Sequence, residues 1–434
     1  MSAQSADVSG HSKRDLNTFD PEALAQSYTA VRKQSEYLCE TLEVEDYCVQ
    51  SMDDASPIKW HLAHVTWFFE TFILKALTPD YRVFHPEFEY LFNSYYNGVG
   101  RPFPRPNRGD LSRPTVKEVY EYRAHVDSAM GALLSEVSSD DIVDRVVLGL
   151  NHEQQHQELM LTDLKHHFSQ NPLYPVYRPA APAMPRGVGA MGYRTFEGGV
   201  VDIGASGGFS FDNELPRHPV LLQPYAFADR LVTNGEFLEF VQDGGYQTSH
   251  LWLSEGWSTV EAEGWQHPKY WIKKDDAWFE FCLSGLRPLD MQAPATHVSG
   301  HEAFAYAAWL GVRLPTEFEW EHAAAQQDPQ SAPSNCFVES DTYHPQGSDC
   351  SENEISELFG QVWQWTSSSY GPYPGYRTLP GTLGEYNGKF MSSQLVLRGG
   401  SVATPRDHFR VSYRNFFYAP DRWQFTGIRL AKDV

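Results

Sequence analysis

Residues 146–161 read VVLGLNHEQQHQELML, an apolar helical run broken by one compact polar patch. Val146, Val147, Leu148, Leu150, Leu159, Met160 and Leu161 leave little of this helix suited to solvent, which places it inside a bundle. His152 and His156 are four apart, so on a helix their imidazoles project from one face and can share one metal ion. Glu158 is rotated by about 120° from His152 and about 200° from His156, at ~100° per residue. That direction suits it to holding an imidazole N–H rather than completing the ligand set. On an exposed helix such a histidine pair is usually accidental. Here two glutamines and a glutamate join it in an apolar surround, and a buried polar cluster needs a partner.

The same periodicity recurs on either side. Apolar positions three and four apart predict helices over 21–38, 58–77, 116–137 and 142–168. Ser56 before Pro57 reads as a helix cap with a first-turn proline, and Ser112 with Pro114 repeats the theme. Residues 78–113 form a long irregular stretch rich in Tyr, Phe, Asn, Arg, Gly and Pro; in a helical bundle such a loop is usually functional. Five prolines between Pro172 and Pro185 break the pattern and mark a linker. The alternative is an ordered arm on the next domain, because Leu173, Tyr174, Val176 and Tyr177 are apolar for a solvated spacer. Beyond it come short strands, turns, glycines and tryptophans, with short helices over 235–241 and 302–310. The expected division is a disordered tail over 1–19, an all-α bundle over 20–170, a linker over 171–192 and an irregular α+β domain over 193–434.

Composition narrows the function classes. A net charge of −22 disfavours nucleic acid and anionic membrane as partners. No apolar run is long enough to span a bilayer, and the first residues lack a secretory h-region. Five scattered cysteines, odd in number and never spaced Cys-x-x-Cys, argue against a disulfide framework and for a reducing cytoplasm. Oligomeric state is left open, a homo-oligomer included.

A third metal ligand has two candidates in residues 60–64, WHLAH, on an apolar helix. His64 shares a face with Trp60, Trp67 and Phe68, whereas His61 shares one with Val65 and Phe68; spacing does not separate them. All-imidazole ligation suits iron, zinc or copper. Three protein ligands leave positions open for substrate, as catalysis requires.

Residues 54–64, DASPIKWHLAH, with WFFE at 67–70 and the His-x3-His-x-Glu run, resemble the DinB-like bundle of ergothioneine-pathway sulfoxide synthases. The second half resembles their partner domain, the sulfatase-modifying-factor fold related to C-type lectins. Its markers are GGVVDIG at 198–204, RLPTEFEW at 313–320, GQVWQWT at 360–366, LRGGS at 397–401 and GIRL at 427–430.

This resemblance implies iron(II) held by His64, His152 and His156, selecting His64 over His61. It implies a reaction that joins the imidazole C2 of hercynine (N-α-trimethylhistidine) to a thiol sulfur with O2, giving a sulfoxide. Tyr95 and Tyr96 resemble the tyrosine pair of the branch that uses free cysteine, where a phenol manages protons; adjacent tyrosines otherwise simply pack. Arg105 and Arg108 resemble paired arginines that grip the thiol substrate's carboxylate, a task for which the guanidinium fork is suited. Asp54 would meet the cysteine ammonium or serve as a helix cap.

For hercynine, the resemblance implies Asn415 on its carboxylate, Phe416 and Phe417 against its trimethylammonium, and Gln155 on its imidazole. The γ-glutamylcysteine branch carries Asn-Trp-Asp where this chain has Asn415, Phe416 and Phe417. Losing that carboxylate favours cysteine as the sulfur donor, with γ-glutamylcysteine the alternative. Relatives that generate formylglycine need a cysteine pair near the chain end, and none follows Cys350. An ovothiol-route relative usually adds a methyltransferase domain, for which no glycine-rich nucleotide loop is present. A selenium-inserting relative would not need the Arg105–Arg108 pair, and a zinc-dependent DinB-type thiol transferase would not need the second domain.

Overall fold

The computed structural model describes residues 20–137, 139–179, 188–333, 336–347 and 355–434. The tail over 1–19 and residues 180–187 of the proline-rich stretch lie outside them. The chain divides into two compact units. One is helical, runs to His167 and takes in Thr378–Gly388; the other comprises Phe168–Arg377 and Lys389–Val434.

Four long helices build the first unit: α1 (Pro21–Tyr37), α2 (Ile58–Phe69), α3 (Val116–Ser135) and α4 (Asp140–Ser169). Asp20 caps α1 by accepting from Glu22 N at 3.0 Å, with Pro21 filling the first helical position. Every residue of α2 is buried, so it is the axial helix; its last turn widens into a π-turn, Glu70–Leu74. Ser56 does not cap α2. Its hydroxyl accepts from Arg108 Nη1 at 2.8 Å and its N–H donates to Asp163 at 2.8 Å. Likewise Thr115, not Ser112, starts α3: Glu118 N donates to Thr115 Oγ1 at 3.2 Å, and Thr115 N donates back to Glu118 Oε2 at 2.7 Å. Thr115→Ala is expected to cost about 0.5–2 kcal/mol, read as a lower urea midpoint with unchanged slope.

One buried charge cluster here is paired throughout. Glu153 of α4 accepts from Arg32 Nη1 at 2.8 Å, Ser35 Oγ at 2.7 Å and Arg123 Nη2 at 3.3 Å. That carboxylate ties α1, α3 and α4 together, and satisfied on all sides it avoids the cost of an isolated buried charge.

The second unit is an irregular α+β body of small sheets. In it β1 (Tyr193–Phe196), β2 (Gly199–Ile203), β3 (His218–Leu222), β4 (Tyr225–Ala228), β5 (Trp271–Lys274), β6 (Ala277–Cys282), β7 (Gly285–Pro288), β8 (Trp363–Ser369), β9 (Gln394–Arg398), β10 (Asn415–Tyr418), β11 (Thr426–Gly427) and β12 (Ala431–Asp433) pair as β1-β4-β12, β2-β3, β5-β6-β7 and β10-β9-β8-β11. The two short helices expected from sequence are Asn234–Gln242 and Gly300–Trp309. Strand β10 is fixed by an internal charge cluster. Arg414 Nε donates to Glu317 Oε2 at 2.8 Å, and Arg398 Nη2 donates to Glu317 at 3.0 Å and Glu321 at 2.9 Å. Asn415 then pairs with Leu397 across β9. Of the proline-rich stretch, Tyr177 is buried and donates its N–H to Leu283 O at 2.8 Å, while Tyr174 meets the Phe281 ring at 5.8 Å. Those residues are an arm laid on the β5-β6-β7 sheet.

Candidate metal centre

Helix α4 presents His152 and His156 one turn apart, and α2 brings His64 to them. One ring nitrogen from each lies within 4.8 Å of the others. His64 is held hard: its ring stacks between Trp60 (4.6 Å) and Trp67 (5.4 Å), and Nδ1–H donates to Phe92 O at 2.6 Å. That partner fixes the tautomer and leaves the Nε2 lone pair free. His64 Nε2 is 3.2 Å from His152 Nε2. Two ligands of one ion take that separation, since metal–nitrogen bonds of ~2.0–2.1 Å span ~3.0–3.4 Å between neighbours.

His61, one turn before His64, stands behind the triad rather than in it. Its Nδ1 and the Nδ1 of His156 share a hydrogen bond of 2.9 Å, and its Nε2 lies 3.0 Å from Asp163 Oδ2. With Asp163 ionised, His61 Nε2–H donates to the carboxylate and His156 Nδ1–H donates to His61. His156 Nε2 is thereby left as a lone-pair donor, the usual arrangement behind a metal-bound histidine. The expectation that Glu158 holds an imidazole is corrected here: His61 takes the His156 Nδ1 atom and Phe92 that of His64, and His152 Nδ1 has no partner among the described residues. Glu158 points along another face of α4, and the residue that reaches the right face is His61, from a different helix. Asp163→Asn is expected to weaken metal affinity about 10–100-fold, measured by chelator competition.

Burial holds all three imidazoles below the usual histidine range. His152 falls from 6.5 to about 3 for that reason alone. His64 and His156 are also lowered, by burial first and then by neighbouring imidazoles and the Arg108 cation. The rings are therefore neutral, as metal ligation requires. The folded-state values lie below the unfolded ones, so the stability these groups contribute is present above pH ~6.5 and is lost as pH falls toward ~3. Chelator-stripped protein should lose about 1 kcal/mol per pH unit at His152 across that window, with His64 and His156 acting in the same direction, read as a falling urea midpoint.

Neutral, convergent, buried nitrogen donors without a thiolate or carboxylate among them fit iron, zinc or copper.

Around the triad stand the other expected residues, not all together. Arg108 is 2% exposed, with its guanidinium 3.4 Å over the Trp60 ring. Among the described residues it donates only to hydroxyls, Ser56 at 2.8 Å and Ser94 at 2.9 Å, and its Nε has no acceptor. No carboxylate pairs with it among the described residues, and burial pulls its pKa well below the ordinary value. Arg105 is half exposed and lies 3.8 Å from Asp54, so the two arginines part company, one inward and one outward.

Asn93 shapes the loop that follows α2, donating to Tyr96 O (2.9 Å) and Gly100 O (3.1 Å) and accepting from Tyr96 N (3.0 Å). Tyr96 is buried against Trp67 and Phe72, and burial with the neighbouring Tyr95 and Tyr386 holds its phenol well above the usual range. Tyr95 stacks on it at 4.6 Å and faces Tyr386 at 6.4 Å.

Tyr386 is the residue sequence reasoning missed. It lies edge-on to His152, ring centroids 5.8 Å apart, and its hydroxyl donates to Gln155 Oε1. Glu385 beside it accepts from Asn97 N at 3.0 Å and Gly98 N at 2.7 Å, clamping Thr378–Gly388 to the tyrosine loop. Asn415, Phe416 and Phe417 belong to β10 of the other unit. There Phe416 stacks on Tyr370 at 4.1 Å, and Asn415 Oδ1 accepts from Phe416 N at 2.9 Å.

Both halves match known families. The DinB superfamily matches residues 27–162, and the sulfatase-modifying factor enzyme 1-like domain matches residues 189–434. The hercynine oxygenase of Mycolicibacterium smegmatis is 30% identical over 413 residues, covering 87% of this chain and 91% of that protein. That of Mycobacterium tuberculosis is 31% identical over 437 residues, covering 95% and 99%. That of Mycolicibacterium thermoresistibile is 31% identical over 403 residues, covering 87% and 88%. No helix among the described residues is long and apolar enough to cross a membrane. Similarity of that extent, running through a helical unit and then a sulfatase-modifying-factor unit, shows that the chain belongs to the hercynine oxygenase family and is an oxygenase.

Proposed function

We propose that the protein is an iron(II)- and O2-dependent sulfoxide synthase that joins the imidazole C2 of hercynine to the sulfur of cysteine. One observation carries the reading: a buried guanidinium, Arg108, has no carboxylate partner among the described residues and lies one aromatic ring away from the histidine triad. When bound on His64, His152 and His156, iron(II) would supply vacant positions for an imidazole nitrogen, a thiolate and dioxygen, together with the redox change that oxygen chemistry needs.

The remaining work falls to side chains. Arg108 takes the carboxylate of cysteine by a forked, charge-assisted pair, with Arg105 at the outer edge. That contact fixes the thiol's position and so supplies orientation. Gln155, held by Tyr386, offers its amide N–H to the hercynine imidazole. Asn415 suits the hercynine carboxylate, and Phe416 and Phe417 offer aromatic faces to its trimethylammonium. Burial holds the Tyr96 phenol well above its usual range, so it keeps its proton at neutral pH, and Tyr95 or Tyr96 can donate one where negative charge develops. Cysteine is preferred to γ-glutamylcysteine because the Asn415–Phe417 run lacks a carboxylate. The described cysteines are all free, which supports a reducing cytoplasm.

The test is to give anaerobically prepared, iron-loaded protein hercynine with each thiol in turn, admit air, and identify products by mass. A hercynine–cysteine sulfoxide formed faster than the γ-glutamylcysteine adduct supports the proposal. No carbon–sulfur adduct with either thiol, or equal activity of zinc-loaded protein without oxygen, refutes it.

A further inference from the structure

The second unit contains another set of donor atoms that the oxygenase chemistry does not use. Glu280 and Cys282 are two apart on β6, so they share one face of that strand. His344 comes from the loop that follows Val338–Ser340. Cys282 Sγ is 3.5 Å from His344 Nδ1, and His344 Nε2 is 3.2 Å from Glu280 Oε1. All three side chains are buried, and one donor atom from each lies within 4.8 Å of the other two.

We infer that Glu280, Cys282 and His344 form a second, structural metal site that takes zinc or a similar borderline divalent ion. The spacing is the first argument. Zinc–sulfur and zinc–nitrogen bonds of ~2.3 and ~2.0–2.1 Å at a tetrahedral angle put the two donors ~3.5–3.6 Å apart, which is the Cys282–His344 separation. The donor set is the second. One thiolate with one imidazole selects zinc, copper or iron over calcium and magnesium; the Glu280 carboxylate, within 4.8 Å of both donors but paired with the far ring nitrogen, completes the set by turning from Nε2 to the ion.

Charge balance is the third. A divalent cation held between a buried carboxylate and thiolate offsets their desolvation, and binding it releases the thiol proton. Bound there, the ion pins the His344 loop onto the β5-β6-β7 sheet. The adjoining Tyr343 ring already meets Tyr177 of the arm on that sheet, at 5.8 Å.

Cobalt(II) reads this site separately from the oxygenase centre, because the histidine triad has no sulfur donor. The full chain is stripped with chelator, refilled with cobalt under argon and followed in the near ultraviolet. A thiolate-to-cobalt charge-transfer band should grow to one equivalent, persist in Cys48→Ser and be lost in Cys282→Ser. His344→Gln, which keeps a neutral polar group of similar length, should shift or lose the band even if the serine variant fails to fold. No such band in the native sequence, or an unchanged band in either site variant, overturns the inference.

Discussion

His152→Ala is expected to abolish iron retention and cut sulfoxide formation to background, a loss beyond the ~10–100-fold that residues behind a metal ligand command. The reason is geometric. His152 Nε2 sits 3.2 Å from His64 Nε2, and removing it leaves two imidazoles on opposite sides of a gap with no substitute donor of the right reach. His61 cannot stand in, because its two nitrogens are committed to His156 and Asp163. The fold itself should survive. His152 Nδ1 is buried without a partner among the described residues, so trimming the ring also removes an unsatisfied polar atom. Iron per chain and turnover should therefore fall together while the circular dichroism spectrum is retained. A variant that keeps near-native iron would contradict the ligand assignment.

Arg108→Met should raise KM for cysteine by two orders of magnitude, roughly, while KM for hercynine stays within a few-fold. Truncating one partner of a buried charge pair costs about 2–5 kcal/mol, and ~30-fold is the lower end of that range. Stability is expected to move the other way or not at all. A buried guanidinium that donates to two serines but has no carboxylate among the described residues is a cost to the substrate-free fold. Methionine fills the space over Trp60 without that cost. Arg105→Met offers the contrast: it is half exposed near Asp54 and should change KM much less, since exposed pairs are worth ~0–1 kcal/mol. Equal effects at both positions would mean that the substrate carboxylate is gripped at the surface instead.

These two residues also show where sequence reading ends. The helices were legible because periodicity of apolar residues is a local property, and so were His152 and His156, which one helix face brings together. Choosing His64 over His61 was not local: both lie on an apolar helix, and the choice depends on how α2 turns its faces toward α4 and Asp163. The same holds for Arg105 and Arg108. A short 3-10 turn sends one guanidinium inward and the other outward, and their spacing alone does not say which. Tyr386 was out of reach for a further reason. It lies 231 residues beyond Gln155, in an irregular segment without periodicity, yet it packs with the helical unit. A segment that leaves its own sequence neighbours to join a distant unit leaves no local signal. Only the density of glycine and aromatic residues around it, GTLGEYNGKF over 381–390, hinted that the loop had work to do.

Iron K-edge X-ray absorption on the iron(II)-loaded chain is the most direct measurement. Three imidazole nitrogens meeting at one ion should give a first shell of nitrogen or oxygen scatterers with the multiple-scattering pattern of histidine rings. That pattern should weaken by about a third in any His64, His152 or His156 variant that still retains metal. A shell without histidine scattering, or one whose sulfur persists in Cys282→Ser before any thiol is added, would mean that the ion is bound elsewhere and the triad is not its seat.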